Sequence, residues 1–483
     1  MLFNSLNFAV FFPLVCVIFF SLPSKQKLPF LLLASCVFYS VYIPAYLLIL
    51  LLVVAIDFIA GIAIENAPEK KKSLYLTISI LMNVGLLAVF KYYNFALTNI
   101  QALAAIFNCR YFELLPFLNL ALPIGLSFHT FQSMSYTIEV RAGRQRAERN
   151  LLVYTLYVLF FPQLVAGPIE RPQNLLHQFR EIKAFDENRV VRGLQLMLWG
   201  FIKKVVIADR LAPLVDSAYA HYSEHTGAVL VLISFFFAIQ LYCDFSGYSD
   251  IAIGSAEVLG FKLMENFRRP YLACSLPNFW QRWHISLTSW FRDYLFLPIS
   301  FWCQQLYLAT VVVFMISGLW HGANWTFVVW GGLHGTAMSI IFFMRKHFPK
   351  LKFSDGIGGS FCGFLATFSF VSLTHIYFRA QSLEIANAVA MSCLSFCADL
   401  LLFRAKLNEL DANWYSINST ELFWALSLTL LFSAAEYIQD KWSLRQFPEK
   451  FNAKLRYGLY YLALSVILFL GKFDARPFIY FQF

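Results

Sequence analysis

Residues 305–344 read QLYLATVVVFMISGLWHGANWTFVVWGGLHGTAMSIIFFM. Two uncharged apolar runs, 305–319 and 326–344, flank a polar, glycine-bearing break at His321. As a helix the first run is about 22 Å long, against a bilayer hydrocarbon core of about 30 Å. It is too short to carry His321 through to the far surface. The histidine is therefore expected within the membrane thickness, at a break between two helices. Gly318, Gly322 and Asn324 permit such a break and free backbone groups for polar contacts. Trp320 and Trp325 are placed to wall the site. An ionisable side chain at that depth is costly and rarely kept there for packing alone. The competing readings are a histidine hydrogen-bonded within the helix bundle and an interfacial residue in an aromatic belt.

The composition agrees with a membrane solvent. Of 483 residues, 59% are hydrophobic and only 14% charged, and the mean hydropathy is +0.61. A soluble domain carries about 25% charged residues. Long apolar runs point to helices and exclude an alternating-strand barrel. The net charge of +10 sits in short loops between apolar runs. It reads as topology signal and headgroup contact, not as nucleic-acid binding. The nine cysteines are scattered, with no CxxC or metal-like spacing. Cys393 and Cys397, four apart, read as small buried hydrophobes. The first apolar stretch lacks a basic n-region and reads as a retained span.

Apolar runs fall near 4–22, 29–43, 47–65, 73–90, 114–138, 191–209, 227–243, 305–319, 326–344, 358–377, 421–438 and 456–472. These predict an all-α polytopic membrane protein of about eleven or twelve spans, treated as a single domain over 1–483. Basic clusters at Lys25 and Lys27, at Lys70 to Lys72 and at Arg141 to Arg149 are expected inside, which puts the N-terminus outside. The run 151–166 is short, proline-ended and flanked by basic residues on both sides, so a re-entrant or interfacial segment is expected. Residues 382–418, with Glu384, Glu409 and Asp411, read as an outside-facing amphipathic region. Lys441, Arg445, Lys450, Lys454 and Arg456 return the chain to the cytoplasmic side. No internal repeat is visible, which counts against a transporter.

A second histidine lies in FWQRWHISLTSWFRDYLFLP, residues 279–298. Its charges and tryptophans make a poor span and a good interfacial or re-entrant helix. His284 sits there between Trp283 and Ser286, close to Arg282; an ordinary aromatic-basic surface helix is the alternative. Asp244 and Asp250 in CDFSGYSD close an apolar run and either line a cavity or cap a helix end. Lys203, Lys204, Arg268 and Arg269 either meet donor phosphates or snorkel to headgroups. Asp57 is expected to pair within the bundle, and His334 to be a satisfied helix-interface residue. The other histidines carry no functional expectation.

Six ordered blocks resemble the signature of membrane-bound O-acyltransferases. They are LPIGLSFHTFQSMSYTIEV (122–140), FFPQLVAGPIERPQ (160–173), CDFSGYSDIAIGSAEVLGF (243–261), NFRRPYLA (266–273), NFWQRWHISLTSWFRDYLFLPI (278–299) and SGLWHGANWTFVVWGGLHG (317–335). The likeness is to the bacterial polysaccharide branch, and LFNSLNFAVFFP and KYYNF (91–95) fit its alginate-type subgroup. The resemblance implies helices around a central tunnel, with core motifs in 122–335. It implies His321 as catalytic histidine and His284 as the second active-site position. Asn324, Trp325, Trp320, Trp283, Arg282 and Asp244 are then substrate-binding candidates. The implied activity moves an acetyl group from cytoplasmic acetyl-CoA to hydroxyls of an extracytoplasmic polysaccharide through a partner protein, with no bound cofactor or metal. The implied location is the bacterial inner membrane. The alternatives are transfer of D-alanine or a lipid acyl group, and a non-enzymatic acyl or polysaccharide transporter.

Overall fold

A computed structural model describes residues 1–41, 43–108, 112, 114–165, 167–181, 183–348, 357–401, 419–441, 452–473 and 476–479. Among the described residues every regular element is helical. The chain divides into two compact units. One comprises Met1–Met197 with Ile251–Met264, the other Leu198–Asp250 with Glu265–Phe483.

The first unit opens with α1 (Leu6–Ser21), α2 (Ser24–Ser40), α3 (Pro44–Asn66) and α4 (Glu69–Leu87), the last continuing through a π-turn to Ile106. Prolines set these boundaries. Pro23 and Pro68 stand at the N-caps of α2 and α4, and Pro44 is the first residue of α3. Each fixes its own φ for a helix start and disfavours helix in the residue before it. Asp57 on α3 is fully buried and accepts from Ser79 Oγ at 2.6 Å and Asn83 Nδ2 at 2.8 Å on α4. Its partners are thus neutral donors. The apolar run 114–138 becomes helical only at α5 (Leu126–Arg141), because Pro116 and Pro123 interrupt its first half. In 151–166, α6 (Leu151–Leu159) breaks at Phe160 before a four-residue helix. Residues 153–164 are all buried, so this is an interior broken segment and not a surface helix. α7 (Glu187–Phe201) crosses the division between the units.

The second unit contains α8 (Asp209–Ala220), α9 (Gly227–Leu259) as far as Asp250, α10 (Leu276–Trp280), α11 (Ile285–Phe291), α12 (Leu306–His321) and α13 (Trp325–His347). It continues with α14 (Ile357–Arg379), α15 (Leu383–Leu401), α16 (Ser419–Lys441) and α17 (Ala453–Leu470). Seven helices among the described residues are long and apolar enough to cross a membrane. They are Pro44–Asn66, Glu69–Ile106, Gly227–Leu259, Trp325–His347, Gly359–Arg379, Leu383–Leu400 and Thr420–Asp440. Leu6–Ser21 and Leu306–His321 are apolar but shorter. The protein is therefore an all-α, multi-pass membrane protein.

Three expectations change. α15 is an apolar helix of spanning length where an amphipathic region was expected, because Glu384 and Asp399 stand near its two ends and leave an apolar centre. Glu409, Asp411, Arg445 and Lys450 lie outside the described residues. α9 does not stop near 243 but runs to Leu259, so Asp244 and Asp250 are interior helix residues and cap nothing. Lys203 and Lys204 do not snorkel. Both are buried, Lys203 against Asp250 at 2.7 Å and Ser246 at 2.9 Å, and Lys204 between Asp209 at 2.8 Å and Asp244 at 2.5 Å. Two charges that meet carboxylates inside the bundle have no need of headgroups. Cys393 packs, as expected, against Leu230, Ile376 and Val389.

α12 and α13 form a hairpin in which the backbones touch. A Cβ added at Gly318 would lie 2.1 Å from Phe327 O, and one at Gly331 would lie 2.1 Å from Phe314 O. Small residues allow such close approach, the source of helix association where water offers no hydrophobic drive. At Gly332 the nearest atom would be Met315 Cγ at 3.9 Å. Gly331→Ala should therefore lower the thermal midpoint of the detergent-solubilised protein by an amount reflecting about 1–3 kcal/mol of overpacking. Gly332→Ala should leave it unchanged. Equal midpoints for the two variants would show that the hairpin tolerates separation.

Candidate active site

His321 is the last residue of α12, and Asn324 caps α13 by accepting from Thr326 N at 3.0 Å. The two intervening residues make the turn. Gly322 is needed because a Cβ there would lie 2.1 Å from the Phe327 ring. The expectation of a histidine at a break between two helices is thus met. The imidazole is buried and enclosed edge-to-face by Trp320 at 4.9 Å, Trp330 at 5.4 Å and Phe378 at 5.3 Å between ring centroids.

His284 is the N-cap of α11 and adopts the left-handed region, with φ +43°. Its Nδ1 accepts from Leu287 N at 3.2 Å. The backbone that follows is held by Asn266, whose carbonyl accepts from Ile285 N–H at 2.8 Å and whose Oδ1 accepts from the Ser286 hydroxyl at 2.8 Å. The ring is 1% exposed and lies on Phe245 at 4.6 Å. Burial pushes its pKa down to about 3, so it stays neutral. A neutral imidazole has one N–H, and with Nδ1 accepting, that proton belongs to Nε2. His284 is thus built to donate a hydrogen bond from Nε2.

The Trp320 ring neighbours both histidines, 6.4 Å from His284 and 4.9 Å from His321 between ring centroids. The structure therefore brings His284 and His321 to the same tryptophan, although 37 positions separate them in sequence. The other sequence candidates are placed differently. Trp325 opens α13 and is 49% exposed. Asn324 gives one amide hydrogen to Gln381 O at 3.0 Å and has a second N–H left for other use. Trp283 is buried in an aromatic group with Tyr242, Phe267, Phe279 and His375. Arg282 reaches toward Asp440. Asp244 is committed to Lys204 and to the Ile479 N–H at 2.7 Å. His334 meets Thr374 Oγ1 at 2.9 Å, the helix-interface role expected of it.

Sequence reasoning missed several residues. Trp330 and Phe378 enclose His321, and Phe245 and Asn266 shape His284. Asn266 and Phe245 lie in quoted motifs, but nothing in their type announces these contacts. Glu436 did carry a signal, as an acid inside an otherwise apolar run. It is buried and accepts from the Tyr242 hydroxyl at 2.7 Å.

Residues 71–378 match the family model described as MBOAT, membrane-bound O-acyltransferase family. A probable alginate O-acetylase of Azotobacter vinelandii is 35% identical over 397 residues, covering 80% of this chain and 76% of its own. A protein of the same description from Pseudomonas putida is 32% identical over 492 residues, with 98% of each chain covered. The peptidoglycan O-acetyltransferase of Helicobacter pylori is 32% identical over 438 residues, covering 82% of this chain and 81% of its own. Similarity of this extent, over blocks that carry both histidines, makes the chain a member of the membrane-bound O-acyltransferase family.

Proposed function

We propose that the protein moves an acetyl group from cytoplasmic acetyl-CoA through a tunnel to hydroxyls of an extracytoplasmic polysaccharide, directly or by way of a partner protein, in the bacterial inner membrane. The observation that carries the reading is the pair of buried imidazoles that both neighbour Trp320, with different hydrogen-bonding roles open to them. The acetyl group and the polysaccharide acceptor are supported by the relatives, which are described as acting on alginate and peptidoglycan.

In this reading His321 is the general base. The acceptor oxygen bonds to the thioester carbonyl carbon while its proton passes to His321. An imidazole suits that task because its ordinary pKa lies near neutrality. Negative charge gathers on the carbonyl oxygen, where the Nε2–H of His284 donates to it. The intermediate then collapses, the C–S bond breaks, and the leaving thiolate takes the proton back from His321. No proton need leave the site, so a buried and water-poor chamber is compatible with turnover. Trp320, beside both rings, helps to keep water from the thioester. The second N–H of Asn324 is a further donor candidate, and Trp325, Trp283, Arg282 and Asp244 contribute to substrate binding from outside the histidine pair.

Two outcomes are expected. With radiolabelled acetyl-CoA and the protein in membranes, His321→Ala at equal folded expression should lose acetyl transfer by about 10²–10⁴-fold. Equal turnover of variant and wild type would remove His321 from the chemistry, and no turnover by the wild type would point to another donor or a missing partner. His284→Asn should fold, because asparagine tolerates the left-handed backbone and its Oδ1 replaces the Nδ1 cap. It lacks the distal N–H, so kcat should fall by about 10²–10³-fold with a much smaller change in KM. A loss confined to KM would make His284 a binding residue only.

A further inference from the structure

Arg269 and Arg282 converge on one carboxylate without being satisfied by it. Their Nη1 atoms lie 3.7 and 3.5 Å from Oδ1 of Asp440. The bridges of Lys203, Lys204 and Arg210 in the same unit close to between 2.5 and 3.0 Å. Charge-assisted N–H···O bonds reach about 2.7–2.9 Å when made. The Nε of Arg269 is also buried without a hydrogen-bond partner among the described residues. The neighbouring acids are otherwise engaged. Asp250 takes Lys203, and Glu436, one turn before Asp440 and also within the field of Arg269, takes the Tyr242 hydroxyl.

The place is built and partly open. Arg269 has φ +47°, a costly conformation for a residue with a side chain and one that collects at ligand clamps. Arg268 N–H bonds to Arg282 O at 2.8 Å, tying the two arginine segments together. The side chains of Arg269, Arg282 and Asp440 are 28%, 26% and 38% exposed. Arg282 lies two residues before His284. Asp440 is the last residue but one of α16, and the sequence from Lys441 onward carries Arg445, Lys450, Lys454 and Arg456 as well, the bias of a cytoplasmic loop.

We propose that Arg269 and Arg282 form an anion site for the phosphate groups of the acyl donor, and that Asp440 occupies it when no donor is bound. The proposal rests on the reading of acetyl-CoA as donor. Two planar guanidinium forks match phosphate oxygens bidentately, which one loosely held carboxylate does not exploit. Donor entry would displace Asp440 and place the charged end of the donor on the cytoplasmic side, with the thioester directed toward the histidines.

The test compares kcat/KM for acetyl-CoA with that for S-acetyl-N-acetylcysteamine, a phosphate-free thioester. Arg269→Met and Arg282→Met should each reduce the preference for acetyl-CoA by about tenfold or more, and the Arg→Lys variants should retain part of it. Arg268→Met, which loses only the surface bridge to Glu265, should keep the wild-type preference. Asp440→Asn should lower KM for acetyl-CoA, because the competing anion is gone. A simple structural ion pair predicts no such gain. An unchanged preference in the arginine variants, or a raised KM in Asp440→Asn, overturns the proposal. If an arginine variant fails to fold, the sign of the Asp440→Asn effect decides. A wild type that uses both thioesters equally refutes the anion site and leaves the acetyl-donor reading intact; a wild type that uses neither, with the partner protein and acceptor supplied, removes both.

Discussion

The site depends on how closely α12 and α13 pack. Their backbones meet at Gly318 and Gly331, where no side chain fits between them. That contact fixes the hairpin, and the hairpin fixes the turn at Gly322. His321 is the last helical residue before the turn, and its orientation follows from where α12 stops. Trp330 lies one residue from Gly331, so the same contact brings its ring against His321. Glycine here is a matter of distance and not of flexibility.

A second constraint is the network of five charges, Lys203, Lys204, Asp209, Asp244 and Asp250, between the segment 202–209 and α9. A π-helical stretch, Ile202–Ala208, presents Lys203 and Lys204 to two acids on the same helix, Asp250 and Asp244. A buried ion pair gives little net stability compared with apolar packing, but removing one partner is costly. The network therefore acts chiefly on register, holding α9 in one position along the segment. Phe245 follows Asp244, and His284 lies on Phe245. The orientation of the second imidazole is thus linked to an ion network that it does not touch.

Much of this was legible in the sequence. The fold class follows from the number and length of uncharged runs, and the helix break at His321 follows from the polar, glycine-bearing stretch between two of them. Both are local quantities. What stayed hidden is non-local. Lys203 and Lys204 resemble residues reaching for headgroups because, Asp209 apart, their partners lie forty or more residues away in sequence, and Asp244 and Asp250 look like a helix end for the same reason. Trp283 and Trp330 are alike in composition of surroundings, yet only Trp330 touches His321. The αL backbone at His284, from which its tautomer follows, has no signature in residue type. The region after 382 was misjudged because averaging over 382–418 mixed the acids of a later segment with an apolar helix.

The lysine pair also constrains biosynthesis. When residues 187–220 leave the ribosome, Asp244 and Asp250 have not yet been made. An unpaired lysine at the centre of a helix opposes membrane insertion by about 2.5–3.5 kcal/mol; Lys204 has Asp209 within this segment, but Lys203 meets its acid only when Asp250 is made. Lys203 is therefore neutralised only once α9 has been made, so the burial of this segment cannot be completed before that of a helix that follows it in the chain.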